Sequence, residues 1–356
     1  MTERILTSRA LNRALLARQL LLERTNLSIE EALDQVGGLQ TQYAPSGYVG
    51  LWTRVAGFRR GALTAALEAR SVIQGTLMRE TIHLVSRREY WRYALGVRTA
   101  RREWSLRLAA ADARRRGDPV RDDRAAAEAP LLERAARLRA ALADGPRTVK
   151  ELGDVAGGFV GHLGLWVDLV RVPPSGTWER RRADRLALAE TWVGPEGATL
   201  EEGVEHLVRA NLRGFGPAPW RDIAGWAGVP VTALRQAADR LDLVRYRDEQ
   251  GRELVDLPGA PLPDAATPAP VRFLAHWDAS LLVHARRTGI LPEVHRGLVF
   301  RTSEPSSVGT YLVGGSVAGG WRIREGRVVL EPYQELAAAD AREVEREREA
   351  LEAFHA

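Results

Sequence analysis

Cysteine is absent from the 356 residues. That excludes disulfides, thiolate nucleophiles, zinc fingers and iron–sulfur clusters, and it suits a reducing compartment. Lysine is almost absent as well: Lys150 is the only one, so nearly all 51 basic residues are arginines. The seven histidines include no pair at H-x3-H or H-E-x-x-H spacing, so no metal site is expected. The G-x-x-x-x-G-K-[ST] phosphate loop is missing, and no cofactor is expected. Long apolar runs are missing too. The Leu15–Leu22 stretch is broken by Arg18 and Gln19, too short and too charged for a leader or a membrane span. The expected place is the cytoplasm, with no membrane partner.

What is present is a chain long enough for several cores, 45% hydrophobic, with a net charge of +5 and a pI near 9.9. Arginine suits planar phosphate contacts, although GC-rich coding inflates it as well. Its distribution is more informative. Between Arg87 and Arg116 ten arginines stand against three acids, interleaved with Tyr90, Trp91, Tyr93 and Trp104. Such a face can track a phosphate backbone, with Arg101 and Arg102 at its middle; an ordinary solvated helix face reads the same way.

The apolar spacing and caps predict α+β architecture. A helix from Ser8 to Leu22 starts at Thr7, and a second starts at the Ser28/Glu31 capping box and ends at Gly37-Gly38. Helices at Pro45–Val55 and Leu63–Ala69 follow. The period then changes to two over Val72–Leu77 and Thr81–Val85, which predicts a hairpin around Arg79-Glu80. Helices followed by a hairpin make a winged helix. The order recurs with helices at Ala129–Ala143, Thr148–Val155 and Phe159–Val170, then strands at Trp178–Arg182 and Leu186–Trp192. A third copy has helices at Leu200–Leu212, Pro219–Ala227 and Pro230–Leu241, with strands Leu243–Arg247 and Glu253–Leu257. Repetition of one plan points to a nucleic-acid-binding array, with protein–protein spacers as the other use of such modules.

The expected divisions are therefore a first winged helix at 1–92, an arginine-rich connector at 93–128, and winged helices at 129–194 and 195–257. A proline-rich linker at 258–270, a β-rich, barrel-like domain at 271–332 and a charged helix at 333–356 complete the chain. Expected strands in the β-rich domain are Val271–Ala275, Leu298–Thr302, Thr310–Gly314, Val317–Ile323 and Arg327–Leu330.

One turn carries candidate chemistry. Gln40 and Gln42 follow Gly37-Gly38 and precede Pro45, and in an extended segment residues two apart address the same side. Two amides could then hold one water or one sugar. By itself Q-x-Q is also an ordinary polar turn. Gly314-Gly315-Ser316-Val317-Ala318 approaches a nucleophile elbow, but strand-turn-strand surrounds it where strand-turn-helix is needed. His276-Trp277-Asp278 reads either as a catalytic dyad or as a structural aromatic with a bonded polar pair. His83 falls on the first hairpin, in a packed interface or beside the glutamines.

Together, the Leu6–Gln19 run, Gly38-Leu39-Gln40-Thr41-Gln42, Thr76–Val85 and Leu274–Asp278 resemble the AlkZ-type DNA glycosylases of the broader YcaQ-like winged-helix superfamily, over nearly the whole chain. The resemblance implies three tandem winged helices and a curved β-domain forming a channel for DNA. It implies excision of cationic alkylated bases, N7-alkylguanine and N3-alkyladenine among them, including interstrand crosslinks. The family's glutamine–hydrophobic–glutamine motif falls on Gln40 and Gln42 as catalytic residues, with Thr41 departing from the hydrophobic middle position. Glutamine instead of aspartate at 42 is similar to the AlkZ branch. A hairpin that probes the minor groove would correspond to the strands flanking Ser303–Ser307. Arg79, His83, Arg101, Arg102, Arg286 and Arg287 form the expected DNA-binding set, and the partner is duplex DNA bound by a monomer. A transcriptional regulator or a non-catalytic damage sensor would be the other classes; a regulator needs a dimer seam, for which Ala337–Phe354 is the one candidate.

Overall fold

A computed structural model describes residues 4–117, 123–156, 166–282, 289–300 and 308–356. Arg286, Arg287, the Ser303–Ser307 hairpin tip and most of the helix expected at Phe159–Val170 lie outside the described residues.

Local signals set the start of the chain. Ile5–Leu6 forms β1, and Thr7 accepts from Ala10 N to cap α1 (Ser8–Arg18). Ser28 and Glu31 form a reciprocal capping box on α2 (Ile29–Val36), which ends at Gly37 in the left-handed region, as a side-chain-free residue permits. Next come β2 (Leu39–Gln40), α3 (Ala44–Trp52), α4 (Arg60–Glu68), β3 (Val72–Thr76) and β4 (Ile82–Ser86). β3 and β4 pair antiparallel, and β2 adds to β4.

The arginine-rich stretch is α5 (Arg87–Arg116). Its first half buries one side in the core, with Tyr90, Trp91, Tyr93, Ala94 and Val97, while Arg87, Arg88 and Arg92 on it are exposed. The helix crosses α9 (Leu200–Phe215), whose Thr199/Glu202 capping box starts it. A Cβ on Gly96 would lie 2.5 Å from the Gly203 carbonyl oxygen, and one on Gly203 would lie 2.4 Å from the Gly96 nitrogen. Only glycines allow the two backbones this close.

In the second region, α6 (Arg124–Ala141), β5 (Arg147–Thr148) and α7 (Val149–Ala156) lead to β6 (Leu169–Arg171) and β7 (Arg185–Leu188), and α8 is Ala189–Trp192. The expected strands are thereby corrected. Leu169 and Val170 are in a strand instead of a helix end, and Trp178–Arg182 is a loop. Pro173-Pro174 supply no N–H for a ladder, while Ser175 Oγ accepts from Asp184 N at 2.7 Å and Arg185 N at 3.1 Å and closes that loop. β6 pairs with β3, so the two regions share one six-stranded sheet in the order β2-β4-β3-β6-β7-β5. Shared pairing covers what would otherwise be exposed hairpin edges.

The third region has α9, α10 (Trp220–Ala227), α11 (Val231–Ala238), β8 (Val244–Asp248) and β9 (Glu253–Asp256). β1 adds to β8 in parallel, tying the first residues to it. Behind α1 the buried Arg18 binds the Asp256 carboxylate through two parallel bonds of 2.6 and 2.7 Å.

Beyond the proline-rich segment, β10 (Arg272–Leu274), β11 (Gly309–Val313), β12 (Ser316–Arg324) and β13 (Arg327–Pro332) form a four-stranded antiparallel sheet. Among the described residues it is open, which corrects the barrel-like expectation. α12 (Ala338–His355) covers it with Val344 and Leu351, so a helix buries the apolar face that closure would otherwise bury. Leu298 and Val299 belong to a short helix (Arg296–Val299), not to a strand. The sheet packs on the first region: Tyr48, Val49 and Leu51 share a core with Phe273, Tyr311 and Trp321. The turn between α2 and α3 thus lies between the third region on one side and the C-terminal sheet on the other.

Candidate active site

Leaving Gly37-Gly38, the chain enters β2, which places Gln40 opposite His83 across the ladder. Thr41 N donates to Ile82 O at 2.7 Å, and Ile82 N donates to the Gln42 side-chain Oε1 at 3.2 Å. Arg79 reaches the other amide: its Nη2 donates to Gln40 Oε1 at 2.5 Å, and its Nη1 donates to the Trp226 carbonyl at 3.0 Å. A guanidinium and a backbone N–H can only donate. Both glutamine carbonyls are therefore fixed toward the hairpin tip, and each Nε2 is left on the opposite side of its amide. Gln40 is only 7% exposed, whereas Gln42 is exposed. The two amides converge on residues 79–82 from different depths, a difference that i, i+2 alternation did not predict. Thr41, in the family's hydrophobic position, is buried and donates its hydroxyl to Ala44 O at 3.4 Å. A methyl-sized body with a satisfied hydroxyl fills that place.

The tip itself is strained. Arg79 and Glu80 have φ of +51° and +60°, a conformation that non-glycine residues adopt at a cost and keep only where surroundings enforce it. Here the enforcement comes from the third region: a Cβ on Gly228 would lie 3.3 Å from Arg79 N and 3.4 Å from its Cα. Burial pushes the Arg79 guanidinium down to about 10, so it remains a cation at neutral pH. Burial and the Arg79 cation together push His83 down to about 3. His83 is thus neutral, and its Nδ1–H donates to Thr81 O at 3.0 Å.

These positions revise the expected DNA-binding set. His83 is 2% exposed and faces Gln40 instead of a phosphate. Arg101 is 6% exposed, donates from Nη1 to Thr76 O at 2.8 Å, and stands 3.7 Å from Glu80; it braces the hairpin from within. Arg102 lies over the Trp166 ring, 4.8 Å from its centre. Arg79 is turned inward, onto Gln40 and Trp226.

Sequence reasoning missed Arg181, whose Nη1 donates to the Tyr43 hydroxyl at 2.9 Å. It belongs to the exposed run Arg180–Arg182 beside the glutamine turn. Three successive arginines signal a solvated loop more than a strand. Asp278 is not half of a dyad: its carboxylate accepts from Arg54 Nη2 and from Ser280 N, each at 3.0 Å, and both ion-pair side chains are 1% exposed. It anchors the loop that carries His276 and Trp277. Ser316, in the elbow-like run, donates to Ile290 O at 3.3 Å and lies on a strand-turn-strand, the context that the elbow excludes.

Among the described residues no helix is long and apolar enough to cross a membrane. No curated protein sequence matches the chain. Its fold is similar to that of Streptomyces sahachiroi DNA glycosylase AlkZ, with a TM-score of 0.79 over 99% of this chain and 97% of that one, at 20% identity. The family model "DNA glycosylase AlkZ-like" matches residues 33–354, a span that contains both glutamines, the hairpin tip and the C-terminal sheet. This chain belongs to the AlkZ-like DNA glycosylase family.

Proposed function

We propose that the enzyme hydrolyses the N-glycosidic bond of cationic alkylated purines in duplex DNA, N7-alkylguanine foremost, with N3-alkyladenine and interstrand crosslinks within the same chemistry. Gln40 and Gln42 position the water. The observation that carries this reading is the pair of amides whose carbonyls are oriented by obligatory donors, Arg79 and Ile82 N. Each carbonyl keeps a second lone pair for a water proton, and each Nε2 can donate to the sugar or backbone. Gln42, the exposed one, is the nearer to substrate.

The chemistry asks little of a base. As the C1′–N9 bond breaks, its electron pair neutralises the cationic purine, so no acid is required at the leaving group. The water oxygen bonds to the oxocarbenium-like C1′, and its surplus proton passes to solvent. The products are the free base and an abasic site. Amides are too weakly basic to activate water against an ordinary purine, so selectivity for alkylated bases follows from the leaving group. Holding water and sugar in line is the main contribution the protein can make. A neutral His83 and an inward Arg79 serve this as positioning residues.

For the DNA surface we assign Arg180–Arg182, beside Tyr43, in place of Arg101 and His83. A monomer is the acting form: α12, the candidate dimer seam, spends its apolar side chains on its own sheet and on Trp52, Phe58 and Trp178, which also weakens the regulator reading. The test is incubation with duplex containing N7-methylguanine, then heat or alkali to cleave abasic sites. Strand cleavage that depends on the protein is the expected outcome; tight binding without base release would make the protein a sensor.

A further inference from the structure

Tyr43 directly follows Gln42 and is 40% exposed. It stands at the start of α3, yet its side chain caps no helix N–H. Its hydroxyl instead accepts from Arg181 Nη1 at 2.9 Å, a bond between the glutamine turn of the first region and the β6–β7 loop of the second. Arg181 Nε donates to Trp178 O at 3.4 Å, and the guanidinium reaches both rings, 6.0 Å from the centre of Tyr43 and 5.7 Å from that of Trp178. Two donors are left over. A phenol oxygen that accepts one bond still has its own proton to give, and Arg181 Nη2 has no acceptor among the described residues. We infer that these donors seat one phosphate of the DNA backbone and that Tyr43 is a positioning residue, setting the strand against the glutamines, an inference that rests on the glycosylase reading.

Three observations favour an anion here, and a backbone phosphate in particular. The first is the charge balance of the loop. Its acids are Glu179 and Asp184, and Asp184 is taken by Arg182 at 2.9 Å, so Glu179 alone is left to offset Arg180 and Arg181. The second is the local field: burial, with Arg181 and Arg60 adding to it, pushes the neighbouring His355 down to about 4, so the surroundings already disfavour one more cation. The third is the chemistry of the donors. A guanidinium and a tyrosine hydroxyl are among the groups that bind phosphate oxygens, contacts that fix register and orientation and read no sequence. Such a contact suits a turn whose task is to hold water against one sugar.

The loop is also tied to the strand that supports the glutamines. Thr177 Oγ1 donates to Pro174 O at 2.8 Å and accepts from Arg180 N at 3.2 Å, and Gly176 N donates to Arg180 O at 2.8 Å. Gly176 packs on Gln74 of β3: Gln74 Nε2 donates to Gly176 O at 3.4 Å, and a Cβ on Gly176 would lie 2.2 Å from Gln74 Oε1. β3 runs into the hairpin whose Arg79 and Ile82 orient the two glutamine carbonyls. One strand thus supports both the loop and the amides, and a phosphate seated on Arg181 has a fixed place relative to them.

The test uses the full chain and duplexes in which a single methylphosphonate, a neutral linkage, is moved through the positions flanking N7-methylguanine on either strand. Single-turnover excision is measured at saturating protein. One linkage should stand out: neutralising it slows the wild type about 5-fold, the worth of one hydrogen bond. Tyr43→Phe, itself about 5-fold slower on the natural duplex, should lose nothing further at that linkage, because the partner of its missing hydroxyl is the same phosphate. Equal slowing of wild type and Tyr43→Phe at every linkage would overturn the seat, make Tyr43 a structural bridge and leave the glycosylase standing. Affinity gives a second reading that needs no chemistry: neutralising that linkage should weaken wild-type binding a few-fold and leave the binding of Arg181→Ala unchanged. That pattern without any base release would keep the seat and overturn the glycosylase reading.

Discussion

Two turns in this molecule begin alike and end differently. α2 and α10 both stop at a glycine in the left-handed region, Gly37 and Gly228. After Gly228 the chain buries Val229 and passes through Pro230 straight into α11. After Gly37 it inserts a strand, and that strand carries Gln40 to a ladder place opposite His83 and Gln42 to the surface. The third region's turn is a structural corner; the first region's turn has been opened to hold two amides. They are not independent, because the carbonyl of Trp226, two residues before Gly228, takes the second bond of the arginine that holds Gln40. The third region's turn thus acts as a brace for the first region's.

Removing the link should have the largest effect. Arg79→Ala frees Gln40 to rotate and leaves the Trp226 carbonyl unpaired, and kcat on N7-methylguanine should fall by ~10²-fold with little change in KM, the scale of a lost positioning group. Arg79→Lys, which cannot donate to both carbonyls with the same fork, should recover only part. An equal rise in KM with kcat unchanged would return Arg79 to substrate binding. Next comes Gly228→Ala. Its φ of +73° and its approach to Arg79 predict a stability loss of about 1 kcal/mol together with a kcat reduction of ~10-fold. Stability loss without a rate effect would show that the two turns merely touch.

Acid should distinguish the dry interiors of the two regions. His83 beside the first turn and His206 on α9 are both pushed down to about 3 by burial, with nearby arginines adding to it. Between that value and the ordinary 6.5 of histidine the unfolded chain binds more protons, so stability falls as pH falls through this window. The slope should be about 1.4 kcal/mol per pH unit for each histidine. His83→Gln and His206→Gln should each remove one histidine's share from a denaturant-derived stability series between pH 7 and 5; a slope unchanged in either would place that imidazole in contact with water. The smallest effect belongs to the surface. Arg181→Ala should weaken duplex binding a few-fold and reduce the log–log salt slope by about one, with Arg101→Ala leaving that slope unchanged because its guanidinium is occupied within the protein.

Much of this was legible in the chain. Caps such as Ser28/Glu31 and Thr199/Glu202, and the glycine stops, act over four or five residues, so sequence reports them directly. The glutamine pair stood out as a candidate only in combination with the hairpin and the Leu274–Asp278 segment. What failed was long-range. Arg101 was counted with the exposed arginines of α5 because sequence cannot show that it is folded against Thr76 and Glu80. Arg79 was taken for a DNA contact because Trp226, 147 residues away, is invisible from its neighbours. The strands β6 and β7 were misplaced because their partner β3 belongs to another region, and alternation over three or four residues is too short to identify a strand alone.

The central claim, that Gln40 and Gln42 act together on one water, is tested most directly by single-turnover excision of N7-methylguanine by Gln40→Ala, Gln42→Ala and the double variant. Each single change should lower the rate by ~10²-fold or more, duplex affinity should stay close to that of the wild type, and the double variant should be far less impaired than the product of the two defects. Gln42→Asp, which supplies a stronger base at nearly the same place, should retain activity or alter its pH dependence. A double variant that still excises at the wild-type rate would contradict the account and put the chemistry elsewhere in the molecule.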